Sequence, residues 1–529
     1  MNFNLPDRIK TTPLVLLTAI FLTIGFLASG VAFFYPLEIE TRESTVWLCV
    51  LASQQGINIY DHSRVAFVNM NHGPFDPLFK FAVATMFPFL ESWQVTRFAV
   101  FLLPFVFLFV TFKLAGKSPG KTRLNVLFLA ATGYLFLLLS AKDVILLGRS
   151  DATVAVLFLL LAYASTAFSP RTKLRAGTHG FICGVLGTSV MLTNWRAVPP
   201  VIAVLLFALW TYRQTDRAPG KLGRYYALSC IGASLVMSAL ILHYLFDFNL
   251  TLYYKHFFGF YSHGAGWVSS NSRGLVPFGD SYDHSMFSFL KSLFYPAADT
   301  ITLKGGPLLL ALVAYLFIPR KADSANKAWS LLSLSVLAFC VMAYYLQFYG
   351  GGPHYFVPFF ILLWFFLCRN FSRMAPARLT LLGVCMLALV CINYRTVLLP
   401  TLKRGIKIQR AYDFMTSVRS LQDSNTILSE DTFLFRRSRH GESIDMGDTV
   451  SAFRRTGYYG DEFNKTVDRH FERTKSDPPD YVLTGFTESP ELRSLIEENY
   501  VLVAEGPHNL TANGGTSSRL FKRKTLIAD

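Results

Sequence analysis

Directly after the first apolar run, three carboxylates fall within six residues, in Tyr35-Pro-Leu-Glu38-Ile-Glu40-Thr-Arg42-Glu43. If this segment is extended, Glu38 and Glu40 share a side, because side chains alternate with a period of two. Neighbouring carboxylates raise one another's pKa, which suits one of them to general-base work or the set to a divalent cation such as Mg2+ or Mn2+. A solvated loop whose acids pair with Arg42 is the alternative. A second group is Lys142-Asp143 with Gly148-Arg149-Ser150-Asp151. Asp151 opens an apolar run, where a carboxylate can accept backbone N–H bonds as a helix cap. A guanidinium at a membrane surface is well shaped for a phosphate, which makes Arg149 a candidate, with Arg196 in the turn Thr193–Arg196 as a second. Simple snorkelling would also explain either arginine. A third group is Asn71-His72-Gly-Pro-Phe-Asp76-Pro77 and Gly350-Gly-Gly352-Pro-His354-Tyr355, where Gly and Pro break helices and let backbone approach a ligand.

The elements that must position these residues are membrane helices. Of the 529 residues, 52% are hydrophobic and 15% aromatic, more apolar surface than a water-soluble fold of this size buries. The apolar residues come in blocks of about 16 to 22, the length that crosses a hydrocarbon core as a helix. Spans are expected near 14–34, 94–114, 124–141, 151–168, 178–192, 197–212, 226–246, 305–319, 328–347, 354–369 and 379–398. Within 177–212, Thr193 to Arg196 and then Pro199-Pro200 interrupt the run, so two spans joined by a tight turn fit better than one long helix. The seven cysteines all lie in apolar segments without metal-like spacing, which indicates neither a disulfide framework nor a zinc site.

The net charge of +16 is unevenly placed. From residue 400 onward there are 19 basic and 19 acidic residues, so the excess belongs to the membrane part. With the N-terminus inside, the inner segments hold 19 basic residues against three acidic ones, Asp7, Asp216 and Asp323. That is the bias of the positive-inside rule, and it removes the main argument for nucleic-acid binding. The run after Arg8 and Lys10 is too long for a cleaved signal peptide and reads as an anchor. An odd number of spans then puts the C-terminal segment outside, together with large loops at 35–93 and 247–304. Within the first loop, Ser44 to Gln55 reads as a short helix closed by Gly56, and Phe75 to Phe89 as an apolar segment too short to cross; both are expected to lie along the leaflet.

Residues 401–529 alternate helical stretches, Gln409–Leu421 and Glu491–Asn499, with strand-like runs at Thr426–Ser429, Tyr481–Thr484, Tyr500–Ala504 and Arg519–Lys522. The fold class expected is therefore an α-helical polytopic membrane protein of about eleven spans over residues 1–400, followed by a small α/β soluble domain over 401–529. That domain has no phosphate loop and no cysteine.

Taken in order, these positions resemble the GT-C superfamily of membrane glycosyltransferases, nearest the protein-mannosyltransferase and lipid A aminoarabinose-transferase type. The carboxylates after the first span, the helix running into Gly56-Ile-Asn-Ile-Tyr60, and Asn71-His72-Gly-Pro-Phe-Asp-Pro-Leu78 are similar to that group's first loop. Arg149-Ser-Asp151 is similar to its Arg-Pro-Asp turn, with Ser150 in place of Pro, and Pro353-His354-Tyr355 to the His-Tyr near its last spans. The group's acidic pair is here Glu-x-Glu-x-x-Glu, which leaves the catalytic place open among Glu40, Glu38 and Glu43. The resemblance implies transfer of a sugar from a polyprenyl-phosphate carrier to a lipid, glycan or protein acceptor on the periplasmic or lumenal face. Glu40, or Glu38 next, would deprotonate the acceptor; Arg149, Arg196 and Lys142 would bind the donor phosphate; His72, Asp76, Asp151, His354 and Tyr355 would contact substrate. One in-line displacement would invert the anomeric centre. The resemblance does not settle a metal. The expected location is a bacterial inner membrane with the N-terminus cytoplasmic. Outward sequons at Asn249, Asn464 and Asn509 keep a lumenal location open. A transporter or lipid flippase is the alternative; it would place polar groups deep within several spans, and these spans are nearly uncharged.

Overall fold

The computed structural model describes residues 7–39, 42–60, 73–115, 123–167, 172–194, 197–215, 221–247, 249–254, 357–358, 361–362, 364, 376–394, 398–429, 432–434, 442–443, 461–484, 490–511 and 514–526. The apolar runs fold into α1 (Asp7–Phe34), α5 (Phe98–Ala115), α6 (Arg123–Ile145), α7 (Ser150–Ala167), α8 (Lys173–Thr193), α9 (Val198–Thr215), α10 (Lys221–Phe246) and α12 (Pro376–Ile392). Between α1 and α5 lie α2 (Arg42–Gln54), α3 (Phe75–Met86) and α4 (Ser92–Thr96), and the short α11 (Leu250–Tyr254) follows α10. Among the described residues, three helices are long and apolar enough to cross a membrane alone: Thr12–Phe34, Lys173–Thr193 and Lys221–Phe246. The apolar cores of α5, α6, α7, α9 and α12 are shorter, at 10–17 residues. The protein is an α-helical membrane protein; the expected spans at 305–319 and 328–347, and most of 354–369, lie outside the described residues.

The split at Thr193 to Arg196 appears where the sequence interrupts itself: α8 ends at Thr193 and α9 opens at Val198 beside Pro199-Pro200. The span expected from 94 begins later. Arg97 breaks the run, closing α4, and α5 starts at Phe98. The two first-loop segments differ from each other. α2 does not lie on a leaflet surface: every residue from Val46 to Ala52 is buried, because the helix is packed between α3, α4 and the C-terminal region. α3 has its polarity reversed, with Asp76, Lys80 and Val83 buried while Met86 is 64% exposed. A helix turns its charged side inward in this way when the medium outside it is apolar.

Close helix approach in the bundle depends on small residues. On α8, Gly180 and Gly184 lie one turn apart against α10, and a Cβ at either would sit 2.1 Å from Tyr226 O or 2.4 Å from Cys230 O. On α6, Gly133 leaves room for the Trp364 indole, which stacks on Phe136 at 6.3 Å.

The helix α13 (Leu398–Leu421) runs across the expected boundary at 400 without a break and leads into the C-terminal sheet. Its strands are β1 (Ile427–Ser429), β2 (Glu442–Ser443), β3 (Tyr481–Thr484), β4 (Tyr500–Glu505) and β7 (Arg519–Arg523), in the order β2-β1-β3-β7-β4. β5 (Asn509–Thr511) and β6 (Gly514–Thr516) form a separate hairpin. β1 is parallel to β2 and β3, which needs a crossover, and α14 (Asp461–Ser476) lies in the connection to β3. β7 pairs antiparallel with β3 and β4, and α15 (Pro490–Asn499) packs beside β4. All four strand-like runs of the sequence are strands; β2, the hairpin and α14 are additions.

The α8–α10 packing has a direct test. Gly180→Ala is expected to cost about 1–3 kcal/mol through overpacking and to lower the thermal unfolding midpoint in detergent. Gly232→Ala, whose Cβ would meet nothing within 4 Å, should leave the midpoint unchanged or slightly higher. Equal shifts for the two variants would contradict this close approach.

Candidate active site

One end of the bundle collects the polar residues, and a buried ion pair organises it. Arg97, between α4 and α5, uses all five of its donors. Nε donates to Glu43 Oε1 at 2.8 Å and Nη2 to Glu43 Oε2 at 2.7 Å. The remaining donors meet carbonyls that the end of α1 leaves unpaired by helix geometry or that follow it: Ala32 O at 2.9 Å, Tyr35 O, and Leu37 O at 2.7 Å. Glu43, in the first turn of α2, is equally saturated, since Oε2 also accepts from Ile39 N–H at 2.7 Å and Oε1 from Gly148 N–H at 2.6 Å. Both side chains are completely buried. Burial pushes the Glu43 carboxyl up, but the Arg97 charge, its hydrogen bonds and the two backbone donors outweigh that and hold it below the ordinary value of 4.5.

Gly148 is clamped from both sides. Its N–H meets Glu43, while its carbonyl accepts from Lys80 Nζ at 2.6 Å. Lys80 also pairs with Asp76 at 2.7 Å, and Thr153 Oγ1 donates to the other Asp76 oxygen at 2.7 Å. A Cβ on residue 148 would lie 2.5 Å from Thr96 and 3.1 Å from Glu43 Oε1, so only glycine lets its N–H come this close. The next residues are the candidates Arg149 and Asp151, which form an ion pair at 3.4 Å and are both buried.

The remaining parts of the first loop are fixed to other helices. Gly73 N–H donates to Thr193 O at 2.8 Å, which brings the start of the Gly73-Pro74 turn to the α8–α9 connection. Asn58 Nδ2 donates to Leu245 O at 2.7 Å, and Tyr60 packs on Phe246 at 4.6 Å, so the segment after Gly56 sits at the end of α10. Arg404 of α13 is buried near the same group. Burial and the Arg97 charge pull it down to about 10, with Tyr35 and Glu43 acting the other way.

Glu38 is buried in the turn after α1, held in register by the Leu37 carbonyl and Ile39 N–H on either side of it. Glu43 is the partner of Arg97, Asp76 of Lys80, and Asp151 of Arg149. Lys142 lies on α6, and only its backbone is described. Glu40, His72, Arg196, His354 and Tyr355 lie outside the described residues. Among the described residues no three His, Cys, Asp or Glu side chains converge as a metal would require.

Sequence reasoning missed Arg97, Lys80 and Arg404. Two of these carried a signal. Arg97 is a charge inside an expected span, and Lys80 stands four residues after Asp76 in an apolar segment; an ionisable group at such depth is a functional candidate by default.

By sequence, no family model and no curated protein matches the chain. By structure, it is similar to ArnT from Cupriavidus metallidurans bound to undecaprenyl phosphate, with a TM-score of 0.55 and 14% identity, over 96% of this chain and 98% of that one. The apo state of the same protein gives a TM-score of 0.53 and 13% identity, over 97% of this chain and 98% of that one. At such identity the likeness establishes the fold: this chain shares the fold of that protein along nearly its whole length.

Replacing Arg97 by Gln would leave Glu43 buried without its cation, a loss of about 3–5 kcal/mol. Because the folded state depresses the Glu43 pKa, its contribution is complete above 4.5 and falls away as the pH drops below that value. Thermal unfolding followed between about pH 6 and pH 3 should show this acid-side loss in the wild type. Glu43→Gln should be less stable at neutral pH and flatter across the same range; an unchanged slope would contradict the assignment.

Proposed function

We propose that this protein is a glycosyltransferase that takes a sugar from a polyprenyl-phosphate carrier at the membrane surface and transfers it to an acceptor hydroxyl. The observation that carries the reading is the meeting at Gly148 of two turns, one bearing Glu38 and leading to Glu40, the other bearing Arg149 and Asp151. This meeting occurs within a fold shared with an enzyme whose structure holds undecaprenyl phosphate. The asymmetric distribution of basic residues supports a cytoplasmic N-terminus and a site on the periplasmic face.

In this mechanism Glu40, with Glu38 as the next choice, accepts the proton of the acceptor hydroxyl as its oxygen attacks the anomeric carbon. The bond from that carbon to the carrier phosphate breaks in line, which inverts the centre and releases polyprenyl phosphate. Arg149, Arg196 and Lys142 hold the phosphate and stabilise the charge that develops on it. Asp151 orients Arg149, and Glu43 with Arg97 keeps the acid-bearing turn in place. His72, Asp76, His354 and Tyr355 complete the substrate surroundings. Glu43 and Asp76 have their oxygens occupied by neighbouring donors, so they suit positioning better than proton transfer. The lipid donor would enter sideways from the bilayer, and the acceptor from water or the leaflet.

Glu38→Gln and Glu40→Gln, made separately and assayed in membranes with a polyprenyl-phosphate sugar donor, are expected to lower transfer by about 100-fold or more in at least one case. Expression and folding should be retained. Full transfer by both variants would remove the assigned base, and solute accumulation in vesicles without a covalent product would favour the transporter reading.

A further inference from the structure

A three-residue turn of the C-terminal region, Thr432–Leu434, reaches the site. Arg419, in the last turn of α13, holds that turn: Nη2 donates to Phe433 O at 2.9 Å and Nε to Leu434 O at 3.2 Å. The same guanidinium donates from Nη1 to Glu91 Oε2 at 3.0 Å and lies 5.1 Å from the Trp93 ring. Glu91 caps α4, and its N–H is met by Gln94 Oε1 at 3.0 Å, so the anchor on the membrane part is itself rigid. Ser92 Oγ donates to the Phe433 carbonyl at 2.8 Å from the α4 side. With its backbone fixed by both partners, the fully buried Phe433 ring lies 5.3 Å from the guanidinium carbon of Arg97.

That contact falls on the group that holds Glu43 and the carbonyls of Ala32, Tyr35 and Leu37. An aromatic face attracts a guanidinium and keeps water away from it. Excluding water strengthens the ion pair beneath and narrows the positions the guanidinium can take. We infer that Phe433 and Arg419 are positioning residues for the transfer reaction, because they hold Arg97, and through it the turn Tyr35–Ile39, in a single arrangement. The C-terminal region is then a working part of the site. Its catalytic meaning rests on the proposed function, but the mechanical link does not.

The test uses the full chain in lipid nanodiscs. Phe433→Ala should raise hydrogen–deuterium exchange at the Ile39 and Gly148 amides, both bonded to Glu43, while amides of α8 and α10 keep their rates. Turnover should fall by about tenfold or more, with KM for the lipid-linked donor changed by less than about twofold. Phe433→Tyr, which keeps the ring, should restore both. Arg419→Gln, which cuts the link without opening a hole in the core, should give the same pattern more weakly and stands in if Phe433→Ala does not fold. Unchanged exchange at Ile39 and Gly148 would overturn the link. Raised exchange with normal turnover would overturn the positioning role. A wild-type protein without transferase activity would instead count against the proposed function, and the exchange result would still decide the link.

Discussion

A buried guanidinium with five donors filled faces a buried carboxylate with four acceptor positions filled, and four separate pieces of chain meet there. Taking both charges out of water is costly, and the pair is favourable only because no hydrogen-bonding capacity is left over. The completeness has a geometric consequence. The end of α1, the start of α2, the junction of α4 with α5 and the turn before α7 cannot move independently without breaking charge-assisted bonds. Residues such as Glu38 and Arg149, which come from distant parts of the sequence, are therefore held in a fixed relation by neighbours that need not touch a substrate.

The arrangement is layered. Gly148 passes the constraint from Glu43 to Lys80, Lys80 to Asp76, and Asp76 to Thr153 on α7. Each member neutralises or satisfies the next, so α3 can bury two charges while presenting an apolar outer face. An apolar medium against the exposed side of α3 would favour the same arrangement. Phe433 closes the assembly from the C-terminal side and connects it to the sheet through α13.

Much of this was legible in the sequence. Helices α1 and α5 to α10 are visible as apolar runs, and strands β1, β3, β4 and β7 as short branched or aromatic runs. The interruption at Thr193 to Arg196 was visible because Asn194, Trp195 and Arg196 precede two prolines. Less visible was what the acids do. Spacing alone groups Glu43 with Glu38 and Glu40, yet Glu43 is consumed by Arg97, 54 residues away, and no local pattern announces that pairing. The burial of α2 was hidden for a related reason. Its composition is that of an amphipathic surface helix, and part of its cover comes from far along the chain, from Phe246 at the end of α10 and from the turn Thr432–Leu434. The value of Gly148 is the close approach of its N–H to Glu43, which no local pattern announces.

The central claim is that this end of the bundle binds a lipid-linked phosphate beside Arg149. The most direct measurement is an electron cryomicroscopy reconstruction of the full chain in nanodiscs containing undecaprenyl phosphate. Headgroup density is expected against the Arg149 guanidinium, within reach of the turn Tyr35–Ile39, and is expected to be lost in Arg149→Ala. A saturating amount of the lipid that leaves this end of the bundle empty, or a headgroup bound at the opposite end, would contradict it.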